Sequence, residues 1–181
     1  MSLKNTPTTY GLLARALHWS MAALIFILLA LGLYMTSLPD SDAKWGWYDW
    51  HKAFGMLVFF LLAFRLLWRH LSPPPALPTS MTTAEKALAH LGHLALYLCM
   101  LLLPLSGYLD SAWGGYHISF FGWFDIPLLF AKDKALFDLA VTVHWLTAYA
   151  LIALLAAHIG AALLHHFIKK DGVLLRMLGK E

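Results

Sequence analysis

Leu139–Ile168 reads LAVTVHWLTAYALIALLAAHIGAALLHHFI, a run without a single Asp, Glu, Lys or Arg. A bilayer core needs roughly 20 apolar residues as helix, so the run is long enough to span. Besides His165 and His166 at its end, two imidazoles stand deep inside it, His144 and His158, fourteen residues apart. At about 1.5 Å rise per residue they lie about 21 Å apart along the axis. At roughly 100° per residue, fourteen steps end about 40° short of four turns, so both rings leave the same face. In a hydrocarbon layer about 30 Å thick, one ring sits near each surface. Ionisable groups in such places are rare and tend to be functional.

Working outward, Ala16–Pro39 and Ala87–Leu109 are also free of charge, and Trp50–Trp68 carries only Lys52 and Arg65 near its ends. Both of these side chains are long enough to snorkel. The expected spans are about 13–36, 50–69, 86–109 and 138–168, giving an all-α, four-transmembrane-helix bundle with residues 1–181 as one domain. The first span has a long apolar run and no small-residue cleavage site, so it reads as a retained helix rather than a signal peptide. Composition agrees. Of 181 residues, 60% are hydrophobic and 13% charged, with a mean hydropathy of +0.66. Soluble domains carry about 25% charged residues, so too little charge is present to coat a water-soluble enzyme. The single Cys99 leaves no intrachain disulfide framework and no Cys-only metal or iron–sulfur site.

Nine Lys and Arg flank the N-terminus, the second loop and the C-terminus, against four, beside seven aspartates, in the first and third loops. The positive-inside rule puts both termini in the cytoplasm. This asymmetry accounts for the net charge of +3, and nothing calls for nucleic acid. Pro73, Pro74, Pro75 and Pro78 make the second loop stiff and extended. Thr82 or Thr83, with Glu85, reads as the capped start of the third helix. The third loop, residues 110–138, is rich in aromatics and is expected to lie along the outer interface.

The remaining histidines sort by depth. On an alternating bundle, His18 lies level with His158 near the cytoplasmic face, and His51 lies level with His144 near the outer face. Two His–His pairs at two depths match bis-imidazole axial ligation of two haems, because haem iron takes His and accepts two trans ligands. The competing reading is buried histidines bonded to carbonyls or to each other, and four that pair by depth weigh against it. His70, His165 and His166 read as solvated interface histidines, while His117 says little. His93 either bonds a propionate or water near the cytoplasmic haem, or simply packs. Gly32 and Gly55 fall at the outer level, where small residues let a flat macrocycle approach the backbone. Arg65, fourteen residues from His51, falls at the cytoplasmic level. A buried guanidinium needs a counter-charge, and a haem propionate would supply it. The bland alternative is that Arg65 snorkels.

These residues carry a resemblance. Arg15-Ala-Leu-His18-Trp19, Trp50-His51-Lys52-Ala-Phe-Gly55, Phe64-Arg65-Leu-Leu-Trp-Arg69, Ala89-His90-Leu-Gly92-His93 and the His144…His158 helix ending in Lys169-Lys170-Asp171-Gly172 form one pattern. Nearly the whole chain resembles the bacterial di-haem cytochrome b561 family. The resemblance implies a bacterial inner-membrane bundle with two haem b, ligated by His18, His51, His144 and His158, exchanging electrons with quinone. One branch of the family oxidises superoxide at the outer face.

Three functional classes follow. The first takes electrons from superoxide to ubiquinone, with Lys52 beside ligand His51 either steering the anion or merely anchoring a helix end. The second is an electron-transfer or anchor subunit of a hydrogenase or another dehydrogenase, which usually has further helices. The third is a non-haem metal transporter. Trp45, Trp47, Tyr48 and Trp50 either line a quinone site or form an interfacial aromatic belt.

Overall fold

The computed structural model describes residues 2–180. Among these, four helices are long and apolar enough to cross a membrane: α1 (Leu12–Ser37), α2 (Asp42–Leu71), α3 (Thr83–Gly114) and α4 (Lys134–Leu164). The last three run beyond their apolar windows because a polar cap lies outside each. Ser41 accepts from the Lys44 amide and Asp133 from the Leu136 amide, which starts α2 and α4 in polar loops. Thr82 is the cap of α3, in a reciprocal capping box with Glu85. Gly115, with φ at 72°, ends α3 in the left-handed region open to glycine. Pro104 lies inside α3, where it has no amide to give the Met100 carbonyl.

The helices alternate in direction, and both termini gather at one end. The Asn5 side-chain amide donates to the Ser72 and Pro73 carbonyls, the Trp19 indole to the Met177 carbonyl, and Arg176 to the Ala76 carbonyl. The N-terminal segment, the Pro-rich loop and the short helix α5 (Val173–Leu178) therefore form one cap over this terminal end. The opposite, hairpin end carries a two-stranded ribbon, β1 (Ser119–Phe120) and β2 (Phe124–Asp125). Its aromatic rings cluster around Phe120, which also meets Phe60 of α2, while Trp123 stands outside at 79% exposure.

His165 departs from the solvated reading. It opens a π-helical turn, His165–Lys169, after α4, and its ring is largely buried against the Asp171 carboxylate. Such wide turns re-aim side chains, and this one points the ring inward.

The core occupies the middle of the bundle. Met21 and Ile25 of α1, Val58 and Leu62 of α2, Leu96 and Met100 of α3 and Leu151 of α4 pack together, with Met21 fully buried and Leu151 2% exposed. Large apolar side chains such as Leu91, Leu146 and Phe167 face outward, as a membrane-facing surface requires.

Candidate functional site

A fourteen-residue interval recurs on every helix of the bundle: His18 and Gly32 on α1, His51 and Arg65 on α2, His93 and Gly107 on α3, His144 and His158 on α4. Each interval straddles the apolar core just described, so the helices place functional side chains at two levels.

At the hairpin end, His51 faces His144 with ring centres 6.1 Å apart and planes at 66°. At the terminal end, His18 faces His158 at 6.3 Å and 53°. Two imidazole nitrogens each about 2 Å from one metal atom set the ring centres about 6 Å apart. Both pairs have that separation. Among the described residues no cluster of three or more His, Cys, Asp or Glu converges on one metal ion. The donor sets are therefore two-membered, as suits a macrocycle that brings its own equatorial nitrogens.

The hairpin-end pair fits such a group in three further respects. The buried His51 Nδ1 has no hydrogen-bond partner. Cβ atoms on Gly32 and Gly107 would come within 3.3 Å of the His51 ring and 3.2 Å of the His144 ring, so glycine lets the backbones of α1 and α3 press on the imidazoles. A cavity of about 420 Å³ opens beside both rings and is also lined by Gly55, which has open space around it.

The orientation of His144 is fixed from α3. Its Nδ1 lies 3.1 Å from Ser106 Oγ, and that hydroxyl donates to the Leu102 carbonyl at 2.7 Å. A hydroxyl with its one proton committed accepts from Nδ1–H, which leaves the Nε2 lone pair for a metal.

The terminal-end pair has more company. His93 of α3 stands 5.5 Å from His158. Arg65 Nη2 lies 3.3 Å from His18 Nδ1, and its Nε donates to the Tyr97 hydroxyl at 3.2 Å. Arg65 is thus turned into the bundle. Lys52 is 18% exposed, with its ammonium on Asp49 at 2.8 Å and donating to the His117 carbonyl at 2.6 Å. It ties the hairpin-end loop to α2 rather than standing free in water.

Sequence reasoning passed over Ser106, Gly107, Tyr97 and Arg69. The fourteen-residue interval from His93 would have pointed to Gly107. No sequence signal singles out Ser106, because serine in a membrane helix commonly bonds back to its own turn.

A family model described as prokaryotic cytochrome b561 matches residues 9–180. Cytochrome b561 homolog 2 of Escherichia coli K12 is 43% identical over 184 residues, covering 99% of this chain and 96% of its own. Cytochrome b561 homolog 1 of the same organism is 34% identical over 128 residues, 71% of this chain and 72% of that one. The probable superoxide oxidase CybB of Yersinia pestis is 30% identical over 176 residues, 95% of this chain and 97% of that one.

Proposed function

We propose a function from the premise that this chain belongs to the prokaryotic cytochrome b561 family. As a member it is a bacterial membrane electron-transfer protein, and the family implies b-type haem. We further infer two haem b per chain, one held by His18 and His158 near the cytoplasmic face and one by His51 and His144 near the outer face. The observation that carries this reading is the pair of His–His separations, 6.3 and 6.1 Å, at two levels.

Haem, when bound, supplies a reversible one-electron carrier at each level. The remaining work belongs to this chain's residues. With an imidazole from each of two helices holding it, as His18 with His158 and His51 with His144 would, such a group would supply outer-sphere electron exchange rather than oxygen binding. Ser106 holds His144 in the ligating tautomer. The apolar core around Met21, Leu62 and Leu151 keeps water and ions from crossing between the levels while leaving them close enough for electrons.

The substrates we propose are superoxide at the outer face and ubiquinone in the membrane, so that two superoxide and two protons convert one quinone to quinol and release two oxygen molecules. Likeness to a relative named probable superoxide oxidase supports this assignment. The positive-inside distribution of Lys and Arg supports the orientation, both termini cytoplasmic. Lys52 is the steering cation of this reading, with its charge shared with Asp49.

Two measurements test the proposal. A dithionite-reduced spectrum with a haem count should give two b haems per chain. Rapid mixing of superoxide with purified protein and ubiquinone should give quinol faster than an unrelated bis-His cytochrome does. Equal rates would leave a quinol-linked electron carrier and remove superoxide as the substrate.

A further inference from the structure

On the terminal-end half of the bundle, α2 presents Arg65 and Arg69 one turn apart on one face. Their guanidinium carbons lie 5.7 and 5.8 Å from the centre of the Tyr97 ring. Tyr97 is itself one turn beyond His93 on α3. Two cations thus grip one aromatic ring beside the His18–His158 pair. Among the described residues, no ion pair involves either arginine. The carboxylates nearest the cytoplasmic cap are already committed, Glu85 to Lys169 and Asp171 to His165.

Tyr10 faces the same place. Burial pushes the Tyr10 hydroxyl above the usual phenol range, while the Arg69 and Arg65 charges beside it pull the other way. Tyr10 is delivered there by the N-terminal segment, which Asn5 pins to Ser72 and Pro73. Trp68, between the two arginines in sequence, has a buried indole N–H without a partner. Arg65 now reaches the lone pair of His18 Nδ1. Ligation through Nε2 obliges Nδ1 to keep its proton, which turns this contact repulsive and sends the guanidinium to another acceptor.

We propose that Arg65 and Arg69, with the hydroxyls of Tyr97 and Tyr10, form a seat for the two carboxylates of the haem held by His18 and His158. The inference rests on the haem reading of that pair. Two guanidiniums match two carboxylates in charge, and each can take one in a forked pair. The seat has an electrical consequence. Its two cations favour the reduced form of the group beside them, whereas the cavity at the other level has Asp49 and Asp110 along its wall and Lys52 already shared with Asp49. The terminal-end level is therefore the more oxidising of the two, and electrons entering at the hairpin end run toward it.

The test is a potentiometric titration of the holoprotein in lipid nanodiscs, with His18→Ala and His51→Ala forms used to assign the two haem signals. Arg69→Gln should lower the terminal-end midpoint by about tenfold in its reduction equilibrium, 59 mV for one electron. The other midpoint should stay in place. Tyr97→Phe should move it in the same direction by less. If Arg69→Gln loses that haem altogether, Arg69→Lys, which keeps the charge, should restore it, and failure of that rescue overturns the seat. Unchanged midpoints with both haems present also overturn it. So does loss of co-purifying anionic phospholipid without a shift, which would make the cluster a lipid headgroup site. Absence of haem at the His18–His158 pair in the unaltered protein is a separate result, and it defeats the underlying ligand reading instead.

Discussion

Replacing Ser106 with Ala isolates the hydrogen bond that orients His144. The serine hydroxyl spends its proton on the Leu102 carbonyl at 2.7 Å and receives His144 Nδ1–H at 3.1 Å. With alanine in place, the Nδ1–H stays buried, because Gly107 packs the α3 backbone against the same ring and leaves little room for water. A buried donor left unsatisfied costs about 1–3 kcal/mol, and because the Leu103 carbonyl is also within reach of His144 this is the upper bound here, at most about 5- to 150-fold in an equilibrium constant. Loss of a partner that orients a ligating histidine typically weakens metal binding about 10- to 100-fold, a comparable range. The fold should not notice. Alanine is the better helix former by about 0.5 kcal/mol, and the lost bond to Leu102 only duplicates the helix's own ladder. The assay follows haem transfer from the purified protein to an excess of a haem-scavenging apoprotein, with absorbance separating the two sites. The hairpin-end haem should leave about 10- to 100-fold more readily, and the His18–His158 haem should leave at its former rate. Equal acceleration at both levels, or none at either, would refute the claim that Ser106 acts through His144.

Other substitutions probe the same frame. His51→Ala or His144→Ala should remove the hairpin-end haem and His18→Ala or His158→Ala the other, with haem counts falling from two to one per chain. Unchanged counts would rule out these ligands. Gly107→Val should displace the His144 ring, because a Cβ alone comes within 3.2 Å of it, and should cost most of the hairpin-end haem while helical circular dichroism is kept. Full occupancy would show that the ring can give way. Lys52→Gln should slow quinol formation from superoxide by up to about tenfold and flatten its salt dependence. It should also expose the 115–133 segment to protease, since the His117 carbonyl loses its tie.

How much of this was legible beforehand follows from what each feature depends on. The four helices could be read because hydropathy is summed along the chain and needs no partner. The two levels could be read because rise and rotation per residue convert fourteen positions into a distance and a face. The sequence also pointed to both His pairs, Gly32 and Arg65, all of which carry that interval. Side-chain direction across a gap is different. Three imidazoles share the terminal end, and only packing decides that His158 meets both His18 and His93. Lys52 read as steering an anion or anchoring a helix end, but its partner could not be read, because the folded loop returns the His117 carbonyl from 65 residues away to bind it. His165 looked solvated until a wide helical turn aimed it at Asp171. Tyr97 and Arg69 meet because α2 packs on α3, and Tyr10 joins them only because the N-terminal segment folds back on the Pro-rich loop. Local patterns fix helices, spacing and depth in the membrane. Tertiary contact alone chooses partners, because a hydrogen bond or a charge pair is a property of two places in the chain at once.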